Sequence, residues 1–129
     1  MRNVLVCAVA WGLAQTTKVA GRFLRTRELS LRLLVGTGGM PSAHVTLVAC
    51  FAMLMGMQQG WTSPVFQCAL IVLIITMNDA WGVRRAAGRQ AAVLNRVART
   101  RLAESLGHTP LEVVAGIGLG VAVAVALGG

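Results

Sequence analysis

The sequence predicts an all-α integral membrane helical bundle, with about four transmembrane helices plus short interfacial helices in a single domain over residues 1–129. Three observations lead there. Of the 129 residues 56% are hydrophobic and only 12% are charged, with a mean hydropathy of +0.70, whereas a soluble domain has about a quarter of its residues charged to cover its surface. The apolar residues gather into four runs, over 4–14, 45–57, 65–77 and 111–127. The charges lie between those runs, with eleven Arg and one Lys against four acids, for a net +8.

A spanning helix needs about 20 residues, so three of the runs must borrow polar ends to cross. The first span, about 3–18, takes in Gln15 to Lys18. It begins after a single Arg2 without a convincing small-residue cleavage site, which reads as a retained helix and not a signal peptide. The following connection carries Lys18, Arg22, Arg25, Arg27 and Arg32 against Glu28 alone. Residues 29–35 mix apolar side chains with Arg and suit an interfacial helix. The second span, about 43–60, ends on Gln58 and Gln59, and a short uncharged hairpin follows with Trp61 as an interface anchor.

The third span, about 64–83, reaches past Asn78 and Asp79. Its connection, with Arg84, Arg85, Arg89, Arg96, Arg99 and Arg101 against Glu104, offers a second interfacial helix over 91–106. The fourth span, about 109–127, has Gly116 and Gly120 four apart, a spacing that suits tight packing within the chain and a homodimer face equally. With four crossings both basic connections share one side. The positive-inside rule makes that side cytoplasmic, in a multi-pass protein of the cell (inner) membrane.

Disorder and a disulfide scaffold fail on composition. Nucleic acid is excluded as a partner, since the chain has no Tyr and its three Phe and three Trp are scattered. Cys7, Cys50 and Cys68 each sit inside an apolar run, with no Cys-x-x-Cys spacing, and read as buried small hydrophobes. No acids have the spacing of a metal cage.

Polar groups at membrane depth face a bundle interior or a wet cavity. The two histidines stand at the mouths of apolar helices. His44 closes Gly38-Gly39-Met40-Pro41-Ser42-Ala43-His44, where Gly39 frees the backbone and a helix start offers N–H groups to an anion. His108 opens Gly107-His108-Thr109-Pro110-Leu111-Glu112, in which Glu112 is four residues on and within reach of the imidazole. The same residues fit a capping box with Thr109 as N-cap, and Glu112 is then structural. Lys18 ends the first span, and Asp79, Arg84 and Arg85 end the third. Arg84 and Arg85 suit a phosphate site or a solvated stop-transfer pair. Asp79 suits that site, or a buried partner for Lys18 or an Arg. All four helix ends fall in one layer of the membrane, which would assemble a phosphate site with its own acid and base.

Four motifs in order carry a resemblance. They are Gln15-Thr16-Thr17-Lys18; the Gly38–His44 stretch, with Ala43 in place of a second Ser; Asp79 to Ala91 as Asp-Ala-x-Gly-Val-Arg-Arg-x-x-Gly-x-Gln-Ala; and Leu106 to Val113 as Leu-Gly-His-x-Pro-x-Glu-Val. Together they resemble the divergent branch of the type-2 phosphatidic acid phosphatase superfamily, relatives of the vanadium-dependent haloperoxidases. The resemblance implies His108 as nucleophile, Glu112 as its orienter and His44 as general acid. It implies that Lys18, Ser42 and an arginine hold the phosphate, with no cofactor and no metal. Lys18 to Arg25 keeps the spacing of the wider superfamily's Lys-x6-Arg-Pro, with Thr26 where Pro is usual, and Arg27 is also within range. Leu102 stands six residues before His108 where that superfamily has Arg, so Arg84, Arg85 or Arg101 takes that part.

The expected function is therefore hydrolysis of a lipid phosphomonoester or diphosphate, of the phosphatidate, phosphatidylglycerophosphate or polyprenyl phosphate type, through a phosphohistidine. Partners are the lipid substrate and the surrounding membrane lipids. Two other classes fit the residues: a non-catalytic protein that binds or transports anionic lipid, and a small packing subunit of a larger complex.

Overall fold

The structure, a computed structural model, describes residues 1–27, 40–104 and 106–129, and only the backbone of Arg25 and Thr26. The described residues are helical, without strands. Helix α1 runs Arg2–Thr26, α2 Ala43–Gln59 and α3 Pro64–Asn78. A π turn at Asp79–Val83 leads without a break into α4, Arg84–Ala98, and α5 spans Pro110–Leu127. Three helical stretches are long and apolar enough to cross a membrane, Arg2–Leu24, Pro64–Ala98 and Pro110–Leu127; α2 is a shorter apolar helix of 17 residues.

Helix α2 is the hub, packed against α1, α3 and α5, and its buried residues run its whole length, from Ala43 to Gly56. Within a bilayer apolar side chains gain little by leaving lipid for protein, so helices join through close backbone approach. Gly116 and Gly120 supply it. A Cβ at Gly116 would stand 2.9 Å from Ser42 O, and one at Gly120 would stand 2.9 Å from Cys50 N. The small-residue stripe of α5 is thus taken up within the chain, against α2. From α1, Val6, Cys7 and Ala10 meet Cys50, Leu54 and Met55 of α2 and Val123 and Ala124 of α5. A second cluster joins Val45, Ala80 and Val113 of three different helices.

The ends are set by local chemistry. Ser63 Oγ accepts the Phe66 N–H at 3.2 Å and Pro64 begins α3. Gly60, at φ 92°, ends α2. Trp61 lies over Gly56 and meets Phe66 edge-on at 5.3 Å between ring centroids. At that end of the bundle Arg2 donates to Gly128 O at 2.9 Å and Asn3 donates to Gln58 at 2.7 Å. Both chain termini therefore lie at the end of the bundle opposite Lys18 and Arg84.

Three expectations change. The interfacial helix placed over 91–106 does not form: residues 91–98 continue the third helix, and the chain leaves helix at Arg99, which is left-handed at φ 51°. An Arg-rich amphipathic pattern is the same in a separate helix and in the continuation of a preceding one, which is why periodicity misplaced it. Cys68 is exposed, unlike the buried Cys7 and Cys50. In a membrane helix an apolar run faces lipid as readily as protein, and of all α3 only Ala69 is buried. The first helix also continues past residue 18 to Thr26. The interfacial helix expected over 29–35 lies outside the described residues.

Candidate functional site

The buried stripe of α1 is Cys7, Ala10, Ala14 and Lys18, spaced by three and four. Lys18 stands on the same face that packs the bundle, so its side chain is turned inward and is only 6% exposed. Ser42 is the N-cap of α2, yet its hydroxyl makes no cap bond. Its carbonyl takes the Thr46 N–H and hydroxyl, both at 2.9 Å, and its N–H donates to Glu112 O at 3.2 Å. Ser42 is 0% exposed and its Oγ has no hydrogen-bond partner among the described residues. The start of α2 is thus pinned to the first turn of α5.

The π turn fixes His108. In an α-helix the Arg84 N–H would bond to Ala80 O, but here it bonds to Asp79 O, five residues back. Ala80 O instead accepts the His108 N–H at 2.8 Å. Close glycine contacts lay Glu104, Leu106 and Gly107 on the helix. Gly107 has φ +85°, and a Cβ there would stand 2.7 Å from Arg85 Cα. A Cβ at Gly88 would stand 2.6 Å from Glu104 O. Only glycine permits both the left-handed backbone and the approach at 107.

His108 is 3% exposed, and neither ring nitrogen has a hydrogen-bond partner among the described residues. Lys18, Glu112, His44 and Arg84 all act on it electrostatically. Burial, reinforced by the Lys18 charge, holds its pKa below the ordinary histidine value, while Glu112 opposes the shift. His44, on the exposed face of α2, lies within electrostatic reach of Arg84, Lys18 and Asp79. Lys18, His44, Asp79, Arg84, His108 and Glu112 therefore share one end of the bundle.

Other residues are placed differently. Asp79 accepts a hydrogen bond from Arg84 Nε in an ion pair that is only part-buried, so it pairs with an arginine but without the burial expected from the sequence. Glu112 completes the capping box: its Oε2 accepts the Thr109 N–H at 2.7 Å, and Thr109 Oγ1 accepts the Glu112 N–H at 3.3 Å. No hydrogen bond joins it to His108, so among the described residues its carboxylate acts on the imidazole through charge alone. Arg85 and Arg101 are exposed; what Arg85 contributes to the site's construction is its backbone, beneath Gly107. Arg27 caps α1, its N–H on Phe23 O at 2.8 Å. Gly39 and the Arg25 side chain lie outside the described residues. The Ala80 carbonyl and Thr46 escaped sequence reasoning. For Thr46 the only sequence cue is its place one helical turn after Ser42.

Among the described residues no group of three or more His, Cys, Asp or Glu is placed to hold a metal ion. What the arrangement offers is a partly buried cluster of cationic side chains around two imidazoles at one end of the bundle.

The model of a family described as the divergent PAP2 family matches residues 1–123 of the chain. A relative from Bacillus subtilis (strain 168), described as the uncharacterized membrane protein YuiD, is 36% identical over 124 residues, covering 80% of this chain and 78% of the relative. No solved structure matches the chain.

Proposed function

The chain belongs to the divergent PAP2 family, and from that membership we propose that this membrane protein is a lipid phosphate phosphatase acting at the cytoplasmic face of the cell membrane. The observation that carries the reading is the His108 imidazole. It is buried, and its ring nitrogens have no hydrogen-bond partner among the described residues, while Lys18, Arg84 and His44 act on it. Unpaired polar atoms in a dry site are costly, and the oxygens of a phosphate ester would satisfy them.

In the proposed reaction one ring nitrogen of neutral His108 attacks phosphorus in line. The N–P bond forms as the ester P–O bond breaks, and His44 gives its proton to the departing lipid alkoxide. Water then attacks the phosphohistidine and loses a proton to His44. Inorganic phosphate leaves and His108 is restored. Lys18 and Arg84 neutralise the charge on the equatorial oxygens, the main contribution in phosphoryl transfer. Ser42 Oγ would donate to a phosphate oxygen, and the Glu112 charge would favour the developing imidazolium.

The test is release of inorganic phosphate by the purified protein from phosphatidate, phosphatidylglycerophosphate and polyprenyl phosphate or diphosphate. Release falling to background in His108→Ala is the expected result, and full activity in that variant overturns the assignment. Lys18→Ala should lower kcat by about 10²–10³.

One observation favours a second reading. Glu112 is committed to the capping box, so the imidazole lacks the hydrogen-bonded orienter a nucleophile normally has. A non-catalytic protein that binds or transports anionic lipid would use the same cluster without that orienter. It would bind phosphatidate after loss of either histidine and lose affinity with Lys18 or Arg84.

A further inference from the structure

The seams around α2 differ. Against α5 it is closed by Gly116 and Gly120, and against α1 by Cys7 and Ala10. Against α3 the seam opens into a cavity of about 430 Å³, lined by Leu47, Phe51, Val65, Cys68, Ala69 and Val72 among others. Polar side chains are absent from that lining apart from the Cys68 thiol. Leu47, Phe51, Val65 and Val72 are also exposed on the outer surface of the bundle, so the groove opens sideways toward lipid.

The two faces that line the groove both lead to the polar cluster. On α2, Leu47 and Phe51 lie three and seven residues after His44, so His44 continues the same face by one turn. On α3, Asp79 lies seven residues after Val72, again about two turns along one face, and it holds Arg84 in its ion pair. Arg84 in turn acts on both His44 and His108. The seam is therefore amphiphilic along its length: apolar at membrane depth, and at one end a cationic mouth with two imidazoles.

We infer that the α2–α3 groove holds a hydrocarbon chain of the anionic phospholipid whose phosphate enters the polar cluster, so that substrate reaches the site sideways from the bilayer past His44. This rests on the reading of that cluster as a lipid-phosphate site. It gives Leu47, Phe51, Cys68 and Val72 a part in choosing the chain, and it explains why His44 is exposed while His108 is buried. A substrate arriving from the groove meets the proton donor first and the buried imidazole behind it.

The experiment uses the full chain in phosphatidylcholine vesicles. The probe is phosphatidate with a photoactivated diazirine midway along one acyl chain, and the comparator is phosphatidylcholine with the same chain. Adducts on residues 47–51 and 65–72 should be several-fold more abundant with phosphatidate, and Arg84→Ala should remove that excess. Cys68→Trp alters a lipid-exposed side chain and fills the groove. It should lower adducts on both helices and raise KM for a long-chain ester. Equal labelling by the two probes, or an excess lying on the outer faces of α1 and α5, overturns the inference. The excess without any phosphate release keeps the groove and removes hydrolysis. Phosphate release without the excess keeps hydrolysis and removes the groove.

Discussion

His108 and His44 stand at the same end of the bundle in unlike surroundings, and their chemistry follows from that difference. His108 is buried near Lys18, and both influences favour its neutral form. Its protonation in the folded protein is therefore deferred to a pH below the ordinary value of about 6.5. The sign of the stability effect follows: the unfolded chain binds the proton first, so this contribution is complete above about pH 6.5 and is lost as pH falls toward the folded value. Melting temperature in detergent should drop across that acid interval, and His108→Gln should flatten the drop. The acid limb of kcat/KM should likewise lie below pH 6.5 or so if neutral His108 attacks phosphorus. These residues were legible in the sequence because histidines and a lone lysine at the ends of apolar runs are unusual. The role of Glu112 was not, since a carboxylate four residues after His108 and three after Thr109 serves either partner. The competition goes to the Thr109 N–H, which the helix start places within 2.7 Å.

Among the elements, the start of α5 and its glycine face bear the most weight. Thr109 supplies one half of the capping box, and Thr109→Ala should cost about 1 kcal/mol, read as a lowered melting temperature. Gly120→Leu should do more damage, because its side chain would enter the space of Thr46 and Cys50 backbone. Overpacking of this kind costs about 1–3 kcal/mol, and the displaced α2 would carry Ser42 and His44 with it. Unfolding in detergent measures the first effect, and phosphatidate binding the second. The order of the apolar runs made the four main helices legible, and the Gly116–Gly120 spacing marked a close approach. Which partner approaches was not legible, because a small-residue stripe fits any helix. The π turn was equally hidden: Asn78 to Val83 has no composition that distinguishes one extra residue in a turn from none.

For the whole molecule, the charge asymmetry and the alternation of helices set one prediction. Residues 60–63 and both termini lie at one end, and the Arg-rich segment after α3 at the other. With Cys7, Cys50 and Cys68 replaced by Ala, a Ser63→Cys variant should react with an impermeant maleimide only from outside the cell. An Arg101→Cys variant should react only from the cytoplasm. The stretch Pro64–Ala98 has 35 residues, about 50 Å of helix, against a hydrocarbon core about 30 Å thick. Its far part, with Arg89 and Arg96, therefore extends beyond the apolar layer. That projection could not be read from hydropathy, which registers where a segment stops being greasy and not where its backbone stops being helical.

The winding at Asp79–Val83 gives the protein a reading frame in space. Deleting Gly82 would close the turn into a regular spiral in which Arg84 keeps its bond to Asp79 O, now four residues back. Ala80 O would then be reclaimed by the Arg85 N–H, leaving the His108 amide to find another mooring. A single missing codon, far gentler on composition than any charge reversal, should thus unmoor His108 while leaving the bundle able to insert.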